Sequence, residues 1–133
     1  MSSDSRQVAE RIQRPAAEVY AYVAQPTTIA EWAPGLGDRV VREGGDWFVH
    51  GGMGRVKVVF APPNEFGVLD HEVTLPSGER FYNPLRVVGY GDGCEIVFTV
   101  RRRPGMSDAE LDRDANAVSA DLRRLKQILE TGQ

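Results

Sequence analysis

The sequence predicts an α+β fold: one strand, two short helices, a six-strand antiparallel meander and a long C-terminal helix. Three observations predict it. Residues 107–130 carry a single apolar stripe, Leu111, Ala115, Val118, Leu122, Leu125 and Leu129, at alternating four- and three-residue spacing, which is one face of a helix. Residues 38–103 show no helical period. Short alternating runs are cut there by Gly44-Gly45, Gly51-Gly52-Met53-Gly54, Pro62-Pro63-Asn64-Glu65, Pro76-Ser77-Gly78 and Gly91-Asp92-Gly93, which is hairpin-turn chemistry. Finally, Pro15, Pro26 and Pro34 bracket two short apolar patches between the first strand and the meander.

Taken in order, residues 1–5 are polar and expected to fray. Residues 6–13 alternate, with Val8 and Ile12 on one side and Arg11 and Gln13 on the other, and read as a strand. Pro15 opens a helix, where its fixed φ is already suitable, and Val19, Tyr20 and Val23 form its apolar patch. Pro26 ends that helix and starts a second carrying Ile29 and Trp32, which Pro34, Gly35 and Gly37 terminate. Before the last helix, Pro104-Gly105 breaks the chain. Ser107 and Glu110 then form a capping box. The final stripe is uneven: Ala115, Ala117, Val118 and Ala120 are small, whereas Leu122, Leu125, Ile128 and Leu129 are bulky. Such a helix seals a core at one end and leaves a hollow at the other.

Turn chemistry sets the register. Pro76-Ser77-Gly78 fits a three-residue loop with glycine in the left-handed position, so Leu75 faces Glu79 and His71 faces Asn83. Two-residue loops at Gly44-Gly45, Gly52-Met53 and Gly91-Asp92, with a four-residue loop at 62–65, propagate the same parity. The face containing His71 then holds Val40, Arg42, Trp47, Val49, Val56, Val58, Phe60, Leu69, Val73, Leu75, Phe81, Asn83, Leu85, Val87, Cys94, Ile96, Phe98 and Val100, almost all apolar. The other face holds Arg55, Lys57, Asp70, Glu72, Thr74, Arg86, Glu95, Thr99 and Arg101. A one-residue slip would invert any strand, so this shared sidedness supports the pairing. Pro84 marks a bulge or an interrupted ladder.

The bulk properties bound the function. At 133 residues the chain suits one domain, residues 1–133, with one core. A net charge of −3 argues against a nucleic-acid partner. No apolar run has the length of a membrane span and no signal-peptide core follows Met1. The single cysteine, Cys94, excludes an intramolecular disulfide and fits a reducing compartment, which implies the cytoplasm.

The first strand, the run Arg14-Pro15-Ala16-Ala17-Glu18-Val19-Tyr20-Ala21-Tyr22-Val23, and Ile29-Ala30-Glu31-Trp32 resemble the opening of the START-like (SRPBCC) superfamily. The run from Val97 through Arg101-Arg102-Arg103-Pro104-Gly105-Met106-Ser107 and the helix after it fit the same pattern, and the polyketide cyclase/dehydrase-like branch is the nearest match. The resemblance spans essentially the whole chain. It implies a helix-grip fold, a curved seven-stranded antiparallel sheet wrapped round the C-terminal helix with a cavity between them. It brings no shared catalytic signature, because members range from lipid binders and aromatic cyclases to chaperone-ATPase activators. The residue before the helix proline is often small in relatives; here it is Arg14, at what would be the cavity rim.

Polar residues on the apolar face are the candidates for chemistry. His71 sits opposite Asn83, and such cross-strand pairs bring Cβ atoms within about 4.5–5.5 Å. His71 is a candidate acid or base, with Asn83 fixing its tautomer or holding a substrate carbonyl; the plainer role is a histidine ordering the core through one partner. Arg42 is a candidate carboxylate clamp and Glu10 a weaker polar candidate, unless both snorkel to solvent. The expected cavity wall is Trp47, Val56, Val58, Leu69, His71, Phe81, Asn83 and Phe98, with Ala115 and Val118 on the helix and Trp32 at the mouth. His50 and Tyr82 face outward. Two histidines on opposite faces and one cysteine do not make a metal site, and the glycines at 51–54 lack the lysine and helix of a phosphate loop. Arg101-Arg102-Arg103 reads as a solvated strand end, with contact to an acidic partner as the alternative.

The expected function is therefore binding of a small hydrophobic or aromatic ligand, without a cofactor and with a homodimer allowed. One alternative is a cyclase or dehydratase-like enzyme using His71 as acid/base. Another is a protein-interaction module of the chaperone-activator kind, which needs no open cavity.

Overall fold

Ser107 accepts a hydrogen bond from the backbone N–H of Glu110, and the Glu110 carboxylate accepts one from the Ser107 N–H, so the capping box forms as predicted. It starts α3, Asp108–Glu130, in a computed structural model that describes residues 5–131. The preceding elements are β1 (Ser5–Ile12), α1 (Ala16–Val23), a 3₁₀ turn (Pro26–Thr28) running into α2 (Ile29–Trp32), β2 (Arg39–Glu43), β3 (Asp46–Gly51), β4 (Gly54–Phe60), β5 (His71–Thr74), β6 (Arg80–Asn83), β7 (Leu85–Tyr90) and β8 (Gly93–Arg101). Most of the predicted fraying falls on residues 1–4, outside the described residues; Ser5 already belongs to β1.

The strands form two antiparallel sheets, ordered β2-β3-β4-β5-β6 and β1-β8-β7. The predicted sheet had seven strands; the additional strand arises because one predicted strand is cut at Pro84 into β6 and β7. The cut is local. His71 pairs with Asn83 on one side of it and Val68 bridges Arg86 on the other, in one unbroken register. Leu69 N–H donates to Leu85 O at 2.8 Å and Val87 N–H to Gly67 O at 2.9 Å across the join. Proline has no N–H to offer a ladder. Pro84 therefore faces Asp70 without bonding it, and the Asp70 carboxylate turns aside to accept the Leu85 N–H at 2.9 Å.

The predicted register is otherwise observed. Glu43 faces Asp46, Gly51 faces Gly54, Tyr90 faces Gly93 and His71 faces Asn83. The four-residue loop at 62–65 is the exception. Phe60 pairs with His71, and the Ala61 N–H donates to Asp70 O, so the connection is longer than expected. Asn64 organises it: Oδ1 accepts the N–H groups of Phe66 and Val68, while Nδ2 donates to the carbonyls of Pro62 and Val68. The added length shifts the pairing by an even number of residues, so the apolar face is preserved.

That face is buried at Val49, Val56, Val58, Leu69, Val73, Leu85, Val87, Cys94 and Ile96, where it meets Leu122, Leu125 and Leu129 of α3. The far end of α3 is tied to the end of β1. Lys126 Nζ donates to Arg11 O at 2.7 Å, Glu130 accepts the Gln13 N–H at 2.7 Å, and Arg14 Nε donates to Leu129 O at 2.9 Å. Arg14 thus adds a donor to a carbonyl of the last helical turn, where a cation is also favoured by the helix dipole, and lies away from the cavity rim. The loop after α2 lies directly on the end of β3: a Cβ at Gly37 would meet His50 O at 2.4 Å, so only glycine allows that approach.

Candidate functional site

Where α3 turns from bulky to small side chains, the sheet and the helix do not close. A cavity of about 500 Å³ remains between β4, β5, β6 and β8 on one side and α2 and α3 on the other. Its apolar wall includes Ile29, Trp32, Ala33, Leu36, Val58, Phe60, Val73, Leu75, Phe81, Phe98 and Val118, and Met53 reaches it from the β3–β4 turn. His71, Asn83, Glu79, Arg103 and Asp121 supply the polar groups. A second hollow shares Phe81, Asn83, Phe98, Val118 and Asp121 and runs outward past Arg80, Arg101, Arg102 and Asp114, so the cavity opens along the β6–β8 side of α3.

His71 is buried. Its Nδ1 lies 3.0 Å from Leu69 O. A carbonyl can only accept, so Nδ1 carries the hydrogen and Nε2 keeps its lone pair. The ring sits 5.1 Å from the Phe60 ring, tilted by 51°, and 5.9 Å from Phe98, edge-on at 74°. Burial pushes the imidazole pKa below its usual value, partly offset by the Leu69 carbonyl and the charge of Asp70, so the ring is neutral at pH 7. The unfolded chain takes up this proton near pH 6.5 and the folded chain resists it. Stability from this group is therefore complete above that pH and is lost as pH falls below it. His71→Leu should flatten the decline in unfolding free energy between about pH 6.5 and 5, read by urea titration at each pH.

Asp121 shares the α3 face of the cavity. Burial pushes its carboxyl above the usual carboxylate range, and Arg124, with Nη1 3.2 Å from Oδ1, opposes the shift. Arg124 also donates to Trp32 O at 3.3 Å, linking α3 to α2. Trp32 is buried at the α2 wall, and its indole N–H has no hydrogen-bond partner among the described residues. At the mouth, Arg103 lies 3.4 Å from Asp114 and its guanidinium stands 4.8 Å above the Phe81 ring.

Of the residues expected at the site, Trp32, Val58, His71, Phe81, Asn83, Phe98 and Val118 line the one cavity. Val56 lies fully within the packed core, Leu69 is buried and borders the separate hollow that Trp47 lines, and Ala115 is half-buried on α3 without reaching the cavity. Trp47 lines a separate hollow with Tyr20 and Pro26, and Arg42 is exposed, with its guanidinium 5.8 Å above the Trp47 ring. Arg42 and Trp47 have the inward parity but belong to β2 and β3, at the edge of the larger sheet remote from the cavity mouth. Glu10, opposite Ile96, is half-buried and away from the cavity. The tautomer-fixing bond to His71 comes from Leu69 O, and Asn83 makes no side-chain hydrogen bond among the described residues.

Asp121 was legible in principle: it follows Val118 by three residues and precedes Leu125 by four, on the edge of the buried stripe. Leu36 and Met53 enter from turns, where no periodicity announces them. Among the described residues, no cluster of three His, Cys, Asp or Glu side chains is placed to hold a metal ion. No helix among them is long and apolar enough to cross a membrane.

Comparison with known proteins bears on the same architecture. The profile of the family described as polyketide cyclase / dehydrase and lipid transport matches residues 5–130. Comparison with curated proteins gives no match. Among solved structures, DynU16 of the dynemicin biosynthetic locus superposes with a TM-score of 0.75 at 18% identity, over 99% of this chain and 49% of that one. The chain thus spans about half the length of DynU16. CalU16 from Micromonospora echinospora gives 0.67 at 18% identity, over 94% of this chain and 73% of that one. A START superfamily protein from Mycobacterium smegmatis gives 0.68 at 10% identity, over 98% and 100%. At these identities the likeness is one of fold.

Proposed function

The chain belongs to the polyketide cyclase / dehydrase and lipid transport family, and on that footing we propose that it binds a small, mainly hydrophobic ligand between the sheet and α3. One observation carries the reading: the 500 Å³ cavity has an apolar wall with a few convergent polar groups, which is the character of a small-molecule site. An open cavity favours this reading over a protein-interaction module, which could work with a filled core. Buried Cys94 as the only cysteine fits a cytoplasmic protein.

The test is a fluorescence titration with N-phenyl-1-naphthylamine, a neutral dye that brightens in apolar surroundings. Saturable enhancement is expected. Val118→Phe fills the cavity from the α3 side and should weaken the dye about tenfold or more with the circular dichroism unchanged, a loss of about 1.4 kcal/mol. A dye signal absent in the wild type, with no binding of any lipid, flavonoid or polyketide mimic, would overturn the reading.

A second reading, a cyclase or dehydratase-like enzyme, is favoured by a specific feature: His71 has one ring nitrogen tied to Leu69 O and the other without a partner among the described residues. That is the arrangement of a general base. Asn83 is the available group for a developing oxyanion, since Arg42 is exposed elsewhere. Under this reading His71→Ala removes turnover while ligand affinity is retained; equal weakening of both identifies a carrier.

A further inference from the structure

The polar groups open to the cavity are not equivalent, and the difference selects a ligand. His71 Nδ1 gives its hydrogen to Leu69 O at 3.0 Å, so Nε2 can only accept. Nε2 has no hydrogen-bond partner among the described residues, and it is not one of the sealed, unpaired nitrogens, which are Trp32 Nε1 and His50 Nε2. It therefore meets open space, on a residue that lines the cavity. Phe60 and Phe98 flank the ring at 5.1 and 5.9 Å and offer it no donor.

Three kinds of ligand fare differently at that nitrogen. A hydrocarbon leaves the lone pair unpaired. A carboxylate sets negative charge against it and would need the ring protonated, which burial opposes. A hydroxyl donates its hydrogen and satisfies it. Arg103 at the mouth sits 3.4 Å from Asp114, whose charge offsets its pull on a carboxylate, and the carboxyl groups of Glu79 and Asp121 line the same cavity.

We propose that the cavity takes neutral aromatic molecules bearing a hydroxyl group, with the O–H donated to Nε2 of His71 and the ring packed against Phe60 and Phe98. The proposal rests on the ligand-binding reading above and specifies its ligand class.

Calorimetric titration of the full chain with 2-naphthol, naphthalene and 2-naphthoate at pH 7.5 tests it. The 2-naphthol complex should be about tenfold or more tighter than either other. His71→Leu should reduce that advantage to within about threefold, read as the ratio of the 2-naphthol and naphthalene affinities of the variant itself. Should the variant not fold, nitrogen-15 NMR of the wild type gives the same answer, because the chain has only 2 histidines. The Nε2 resonance of His71 should start at the unprotonated position and move upfield with 2-naphthol but not with naphthalene. Equal affinity for 2-naphthol and naphthalene, or tightest binding of 2-naphthoate, overturns the hydroxyl preference and leaves ligand binding standing. If none of the three binds while N-phenyl-1-naphthylamine does, this proposal alone fails. If the dye fails as well, both fail.

Discussion

Replacing Asp70 by alanine should lower the unfolding free energy by about 3 kcal/mol, one of the two largest single-site effects expected in this chain. Asp70 was expected on the solvent face of the sheet. It does lie on that face, but it is 2% exposed and surrounded by donors. Its carboxylate accepts from Leu85 N–H at 2.9 Å, from the Tyr82 hydroxyl at 2.6 Å, and from Arg86 Nε and Nη2 at 3.0 and 2.7 Å. Alanine would strand the Leu85 N–H beside Pro84, where the ladder offers no substitute. The Arg86 side chain is 53% exposed and can return to water, which keeps the cost below that of a fully buried ion pair. Urea unfolding with an unchanged m-value is the measurement. Asp70→Asn keeps an acceptor for Leu85 and should cost about 1–2 kcal/mol.

The same residue predicts an acid response. Arg86, with help from Tyr82 and the Leu85 N–H, holds the Asp70 carboxyl well below the usual carboxylate range. The unfolded chain binds this proton near pH 3.8, whereas the folded chain takes it up only at lower pH. Its contribution is present above that pH and lost as pH falls below it, and Asp70→Asn should lack that share of the acid destabilisation.

Leu122→Ala is the second large effect, at about 3 kcal/mol or more. Leu122 is 0% exposed and packs in the main core, so its removal leaves a void that rigid neighbours do not refill. Val118, one turn earlier on α3, faces the cavity instead. Val118→Ala should cost less than about 1 kcal/mol, because the removed methyl groups already border open space. The contrast locates where the core ends and the hollow begins. Equal costs at the two positions in chemical denaturation would mean that the helix is packed alike along its length.

Sheet sidedness was legible before the structure because strand parity is a local property: turn types propagate it, and even the misjudged connection at 62–65 left it intact by changing the pairing an even number of residues. The site was legible in part for the same reason. Parity identified His71, Phe81, Asn83 and Phe98 as inward, but it equally admitted Arg42 and Trp47, which lie on strands away from the cavity mouth. Parity says which face a side chain occupies and nothing about its position across that face.

By itself, the sequence determined the order of elements, the capped C-terminal helix, its bulky and small halves, and which sheet face is apolar. Those follow from spacings of a few residues and from turn chemistry, both written in contiguous sequence. The sequence marked Pro84 as a bulge or an interrupted ladder; the three-dimensional arrangement selected the interruption and set Asp70 to repair it. Tertiary structure alone brought Leu36, Met53 and Arg103 to the cavity, and gave the His71 hydrogen bond to Leu69 rather than Asn83. Each of these depends on distances between segments remote in the chain, set only once the sheet curves and the helix lies down on it.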